Sequence, residues 1–522
     1  MFERGDGALV RLLCAFVLAG VAACGGGSGG GGGDDGGSGG SGGSNWSPGV
    51  FQPSASFANR CVNPRPGTGD LRGTVLDENN FLRSWSDETY LWYDEIVDRD
   101  PGDFTSPLDY FAVLRTNALT PSGAPKDRFH FTVPTEEWER LSQAGEAAGY
   151  GVQWAILRAA PPREVRVAYT EPGSPATDPT VDLARGAEIL FVDGVSVENG
   201  NADALNAAFF PAGEGESHTF TVRDVGATGT REVTMVSAIV TSVPVQNVKT
   251  VPTPMGNVGY LLFNDHIATA EGLLIDAVEQ LAASNVQHLV LDLRYNGGGF
   301  LAIASQLAYM VAGSVPTAGA VFEEIRFNDK HPVTNPVTGQ PLEPMPFFDV
   351  TLGFSEPPGQ PLPALDLETV YVLAGPDTCS ASEAIINSLR GVGVEVVLVG
   401  TTTCGKPFGF YPTDNCGTTY FSIQFQGFNN QGFGDYGDGF SPANDPFGEP
   451  LPGCSVHDDF EHALGDPLEA RFATALQLIQ GGQCPAATGA VPERGVAKPG
   501  ALTPPDRLTP KGPWRENRIL TP

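Results

Sequence analysis

Two apolar, β-branched runs, Val370–Leu373 and Val394–Val399, stand on either side of a segment, Ala381–Arg390, that reads as a short helix. Runs that are apolar throughout predict strands buried on both faces, as in a parallel sheet. The unit is therefore strand–helix–strand. Upstream, Val258–Phe263 and Val286–Leu293 predict two further strands, and Ala268–Ala283 fits an amphipathic helix between them. The fold class that follows is mixed α/β, with parallel-strand crossover units in a core over 250–482. Ser380 falls where one strand turns into its helix, and Lys406 falls in the loop after the next strand. In a parallel sheet both places lie at the carboxyl edge, where such folds hold ligands.

The pattern changes elsewhere along the chain. Residues 71–141 read as mainly helical, with Trp85, Tyr90, Trp92 and Tyr93 at helical spacing, the signature of a packed face. Residues 147–243 turn to short alternating strands and turns. His331–Pro363 is Pro-rich and irregular, and Phe408–Pro452 is rich in Gly and aromatic residues. Val456–Gly482 holds the last helical pattern, and 485–522 is Pro- and charge-rich, predicting disorder.

The first residues read as an export signal. Arg4 and Arg11 flank an apolar run, Leu12–Ala22, too short to span a membrane, which ends in V-A-A-C. This end resembles a bacterial lipobox, which implies a signal over 1–23, lipid on Cys24 and attachment to a membrane, the outer more than the inner. An ordinary secretory signal is the alternative, and both readings place the protein outside the cytoplasm. Residues 24–48, mostly Gly, Ser and Asp, then form a flexible tether reaching roughly 25 Å.

Composition narrows the function. The net charge of −31 and pI of about 4.4 argue against nucleic acid, which needs clustered Lys and Arg. Beyond the export segment six cysteines remain: Cys61, Cys379, Cys404, Cys416, Cys454 and Cys484. Their even number suggests disulfides without fixing the pairing. None has the C-x-x-C spacing of a zinc site. Cys379 adjoins Ser380 and Cys404 stands near Lys406, so these two either bridge and pin the pair or lie as free buried thiols. Cys379 as nucleophile is disfavoured, because no histidine lies near it in sequence.

A serine hydroxyl becomes a nucleophile only when a base removes its proton, and a lysine made neutral by burial serves as that base. Ser380 opens a helix, so the Ala381 N–H is unpaired and available to an oxyanion.

The segments T-C-S-A-S-E and G-T-T-T-C-G-K resemble the C-terminal processing peptidases, also called tail-specific proteases. The resemblance covers roughly 71–482 and implies Ser380 as nucleophile, Lys406 as base and Glu383 in support. D-L-R-Y-N-G-G-G, Asp292–Gly299, resembles the loop of that family whose first paired glycine donates to the oxyanion, here Gly298. Arg294 and Asn296 are read as holding that loop. Phe410 stands where many members have a glutamine. Residues 71–141 resemble the family's small helical N-terminal domain. Within 147–243, G-Y-G-V (Gly149, Tyr150, Gly151, Val152), E-P-G-S-P-A and R-G-A-E-I-L-F-V-D-G-V resemble, in that order, a PDZ domain. The first of these would capture a C-terminal carboxylate while an extended peptide adds to the edge strand.

Three rivals stand against this reading. Gly400–Lys406 fits a phosphate-binding loop, but Pro407 replaces the Ser/Thr that would hold Mg²⁺ and no helix follows. A Ser-His-Asp hydrolase using His457 lacks a G-x-S-x-G elbow around Ser380. A non-catalytic peptide-binding protein on the same fold is the alternative from another class. The expectation is a periplasmic, lipid-anchored serine endopeptidase acting on unfolded chains or C-terminal tails, with no metal or organic cofactor required.

Overall fold

The computed structural model describes residues 46–445 and 447–485 and the backbone of Arg518–Ile519. The export signal, Cys24 and nearly all of the tether lie outside the described residues, as does most of 485–522. Arg518–Ile519 departs from the expected disorder, because its backbone pairs in parallel with Gly299–Phe300. Among the described residues no helix is long and apolar enough to cross a membrane.

The segment 71–141 is less helical than its pattern predicts. Helix α1 (Val75–Thr89) starts at Thr74, whose hydroxyl accepts the Asp77 N–H while Asp77 takes the Thr74 N–H. α2 (Pro107–Val113) follows, and α3 (Thr135–Ala144) begins only near the segment's end. The aromatic spacing runs on past the end of α1. Tyr90 is extended, the Leu91 N–H donates to Ile423 O, and the Tyr90 hydroxyl donates to buried Asp127. These long-range bonds draw the chain onto the core, and helical periodicity yields to them. Trp85 packs on Phe81 and Phe111 as the helical face requires, whereas Trp92 meets Phe408 of the core.

A separate antiparallel sheet fills the next stretch. Its main strands are β1 (Val152–Arg158), β2 (Glu164–Thr170), β3 (Glu188–Val192), β4 (Ser217–Arg223) and β5 (Arg231–Val236), in the order β5-β4-β3-β2-β1, and the two-residue Val195–Ser196 pairs with β3. Helix α4 (Ala202–Phe209) contributes Leu205 and Phe209 to its own small core, with Val165, Val167, Ile189 and Phe220. β1 lies at the end of the sheet, so among the described residues its outer edge has no strand partner.

The main sheet has the order β6-β7-β8-β10-β11-β12. Its strands are β6 (Val245–Thr253), β7 (Gly256–Phe263), β8 (Val286–Asp292), β10 (Thr369–Ala374), β11 (Glu395–Gly400) and β12 (Gly453–Ser455), with the two-residue β9 (Gly299–Phe300) outside it. β6 runs antiparallel to β7, and every other neighbour is parallel. Alternate residues serve two layers, as strands buried on both faces must. Leu289, Leu291, Val370 and Val372 pack with helices α5 (Ala270–Ala283), α6 (Leu301–Ala312) and α7 (Ala381–Gly391). Val290, Leu373 and Val399 pack instead with Phe472 and Leu476 of α8 (Ala470–Ile479) and with Tyr169 of the β1–β5 domain. β10, α7 and β11 are the strand–helix–strand unit that the sequence pattern predicts.

Candidate active site

Ser380 occupies the sharp turn from β10 into α7. Its backbone has φ 59° and ψ −115°, a conformation that a residue with a Cβ rarely takes. Such strain costs on the order of 1–3 kcal/mol and persists only where the surroundings impose it. Four contacts do so. The Cys379 N–H donates to Asn296 O at 3.0 Å, the Ser382 hydroxyl donates to Asn296 O at 3.1 Å, the Ser380 N–H donates to Glu383 Oε2 at 3.0 Å, and Cys379 is bonded to Cys404. The Ser380 hydroxyl is buried and has no hydrogen-bond partner among the described residues.

Glu383 is the hub. It sits in the first turn of α7, fully buried, and accepts from both loops that carry the predicted pair. Oε2 takes the Ser380 N–H at 3.0 Å and the Lys406 N–H at 2.8 Å, while Oε1 takes the Gly405 N–H at 2.8 Å and the Thr403 hydroxyl at 2.5 Å. Burial pushes its carboxyl up from the ordinary range, and these donors pull it back part of the way. Its partners are backbone N–H groups of both loops and the Thr403 hydroxyl, so Glu383 positions the serine and lysine loops and is not itself placed to exchange protons with a substrate.

Lys406 is fully buried, and its Nζ lies 4.7 Å from the centre of the Phe129 ring and 4.4 Å from that of Phe410. Phe410, in the place of the expected glutamine, thus forms one wall of an aromatic box. Phe129 forms the other wall and was not legible in the sequence. The Arg128 guanidinium, beside it, donates to Cys404 O at 2.6 Å.

The loop Asp292–Gly299 lies against this turn. A Cβ on Gly298, whose φ is +99°, would fall 2.8 Å from Ser380 Cβ and 2.9 Å from Ala381 N, so only glycine fits. Ala381 is the first residue of α7, where an N–H has no partner within the helix. Gly298 N–H, expected to be free for an oxyanion, donates instead to Asn296 Oδ1 at 2.9 Å. His266, pushed down to about 3 by burial and therefore neutral, shares that oxygen through Nδ1 at 2.9 Å. Asn296 holds the loop as expected, and the same contact engages the predicted donor.

Arg294 also holds the loop. Its buried guanidinium reaches Asp292, Asp458 and Glu469 at 2.8–3.0 Å. Arg185, from the β1–β5 domain, bonds Asp458 at 2.6 Å and Tyr295 Oη at 2.7 Å. Burial alone would raise the Asp458 carboxyl, but Arg185, Arg471 and Arg294 hold it well below the usual range. Asp458 is therefore an ion-pair centre behind the loop. His457 beside it is half-buried.

The structure brings Ser380, Ala381, Glu383, Lys406 and Gly298 into one cluster. Gly149, Tyr150, Gly151 and Val152 lie in the β1–β5 domain. There the Tyr150 hydroxyl donates to Ala208 O, Gly151 has φ +74°, and Val152 opens β1. Cys379 and Cys404 form a disulfide; the other bridges are Cys61–Cys416 and Cys454–Cys484. Cys379, Glu383 and Cys404 could together ligate a metal ion only without the bond that joins the two sulfurs.

The family model of peptidase family S41 matches residues 257–413, and that of the peptidase S41 N-terminal domain matches residues 77–131. Over these residues the chain is similar to peptidase family S41. A carboxyl-terminal-processing protease of Picosynechococcus sp. is 26% identical over 268 residues, 51% of this chain; the match spans 56% of that relative's length. A solved Bacteroides fragilis structure described as an S41 protease shares the fold with TM-score 0.56 at 23% identity, over 77% of this chain and 97% of that one. The photosystem II D1 C-terminal processing protease superposes with TM-score 0.42 at 18% identity, over 71% of this chain and 92% of that one.

Proposed function

We propose that the chain is a serine endopeptidase in which Lys406 activates Ser380, and that it cleaves unfolded chains or C-terminal tails outside the cytoplasm while tethered by lipid on Cys24. The observation that carries this reading is the Glu383 carboxylate, which joins the backbone of the serine turn to that of the lysine loop. A structural turn has no need of such a joint between a strained serine and a buried lysine.

Neutral Lys406 takes the hydroxyl proton as Ser380 Oγ attacks the scissile carbonyl. The oxyanion is held by the Ala381 N–H at the start of α7 and by the Gly298 N–H once Asn296 releases it. The lysine, now an ammonium, donates its proton to the leaving amine. Water then attacks the ester, Lys406 takes its proton, and Ser380 is regenerated. Burial disfavours a charged amine in general, whereas the two phenyl faces beside the lysine favour an ammonium.

Substrate capture is assigned to two edges. Gly149–Val152 would take a terminal carboxylate while the peptide adds to the free edge of β1. β9, next to Gly298, would take the segment to be cleaved; its pairing with Arg518–Ile519 supports the capacity of this edge to accept an extended chain.

A second reading, a peptide-binding protein without catalysis, is favoured by the engaged Gly298 N–H and by Phe410 in place of glutamine. A gel assay separates the two. An unfolded protein with an apolar C-terminus is incubated with wild type, Ser380→Ala and Lys406→Ala at several pH values. Cleavage by wild type alone supports the dyad. Binding without cleavage by any of the three supports the second reading.

A further inference from the structure

We propose that the Cys379–Cys404 disulfide is a redox gate on the serine–lysine pair, closed to catalysis when reduced and open when oxidised. The inference rests on the peptidase reading of this site. Cys379 immediately precedes the strained Ser380, and Cys404 stands two residues before Lys406. The bond therefore spans the two loops that must be in register for proton transfer.

Three features make the site sensitive to loss of the bond. Cys379 is completely buried, and its side chain packs among core residues. Two thiol sulfurs keep a van der Waals separation that a bonded pair does not, so on reduction the side chains, the backbones carrying them with Cα atoms 5.2 Å apart, or both must shift. The remaining ties are hydrogen bonds: Cys404 N–H to Thr378 O at 3.0 Å and the set made by Glu383. Those bonds keep the loops near each other but do not fix them to the tolerance that catalysis needs, where a displacement of about 1 Å costs on the order of 100-fold.

The geometry also indicates where reduction starts. Cys404 is half-buried and Cys379 is not accessible. A dithiol thiolate attacks Cys404 Sγ, forming a mixed disulfide and releasing Cys379 as thiolate. The second thiol of the dithiol then attacks its own sulfur in the mixed disulfide, leaving an oxidised dithiol, a reduced Cys404 and, after protonation, a reduced Cys379. Two electrons move from the dithiol to the protein. In a thiol-reducing compartment the chain would be held inactive, and export to an oxidising one would switch it on.

The test uses the full chain equilibrated in dithiol redox buffers. Proteolysis of an unfolded substrate is measured beside the state of each cysteine pair, mapped by alkylation and mass spectrometry, and hydrogen exchange of segments 376–384 and 404–410. The expected result is at least about a tenfold fall in turnover that tracks reduction of Cys379–Cys404, with faster exchange in both segments. Cys61→Ala/Cys416→Ala retains this response. Cys379→Ala/Cys404→Ala keeps the other two bridges and loses the response to dithiol; if that variant does not fold, the cysteine map of the wild type carries the test. Unchanged turnover and unchanged exchange with Cys379–Cys404 reduced would overturn the gate and leave the peptidase reading standing. No proteolysis in any redox state, with exchange still responding to reduction, would remove the peptidase reading while the coupling of the two loops remained.

Discussion

Two buried acidic centres flank the same serine and are built in opposite ways. Glu383 accepts from three backbone N–H groups and a threonine hydroxyl, and burial raises its carboxyl. Asp458 faces the guanidinium groups of Arg185 and Arg294, which hold its carboxyl low despite burial. The first centre fixes two main-chain segments relative to each other. The second fixes a loop, Asp292–Gly299, and joins it to the β1–β5 domain. A carboxylate that must set main-chain geometry uses dipoles, which have direction; one that must join separate parts of the fold uses full charges, which reach across side chains.

The contrast can be broken from either side. The largest effect is expected at the reacting groups themselves: Ser380→Ala or Lys406→Ala should lower kcat on unfolded substrate by about 10⁴-fold or more, read from initial rates. Next comes Glu383→Ala, which strands the N–H groups of Ser380, Gly405 and Lys406. It should lower kcat by about 100-fold and stability by about 2–4 kcal/mol in a denaturant titration, whereas Glu383→Gln, which keeps an acceptor oxygen, should lose less of both. On the other side, Arg185→Met leaves Asp458 with one fewer cation and should cost about 3–5 kcal/mol, with the Ser380 turn itself intact.

The pH dependence sharpens the same comparison. The Asp458 carboxyl is depressed in the fold, so its stabilisation is present above its unfolded value and is lost as pH falls below about 4. The Glu383 carboxyl is raised, so its contribution has the opposite sign: present below its unfolded value and lost as pH rises through the folded one. Tm measured from pH 7 down to pH 3 should therefore fall, and Arg185→Met should flatten that fall. The smallest effect is expected at the aromatic box. Phe410→Leu removes one phenyl face from the Lys406 ammonium and should move the rising limb of the rate–pH profile about one unit or less toward acid.

Much of this site could be read from the chain because its parts are local. Ser380 and Glu383 are three residues apart at a helix start, Lys406 follows the next strand, and Gly298 ends a strand-to-loop run. The rest depends on contacts between distant segments. Phe129 reaches Lys406 from near the N-terminal helices, and Cys61 pairs with Cys416 across a separation of 355 residues. Periodicity misjudged the end of α1 because Tyr90 and Leu91 answer to Asp127 and Ile423 rather than to their own helix. The Gly298 N–H contact escaped the sequence for a different reason: its partner is the Asn296 side chain, two residues away, and a side-chain rotamer leaves no trace in a sequence.

The most direct test of the central claim is covalent capture of the nucleophile. Wild type and Lys406→Ala are treated with a peptidyl phosphonate across a range of pH, and the adduct is located by mass spectrometry. The account predicts a single adduct on Ser380 in wild type, forming faster as pH rises and at least about 10³-fold slower in Lys406→Ala. An adduct on another residue, or equal rates on Ser380 with and without the lysine, would contradict it.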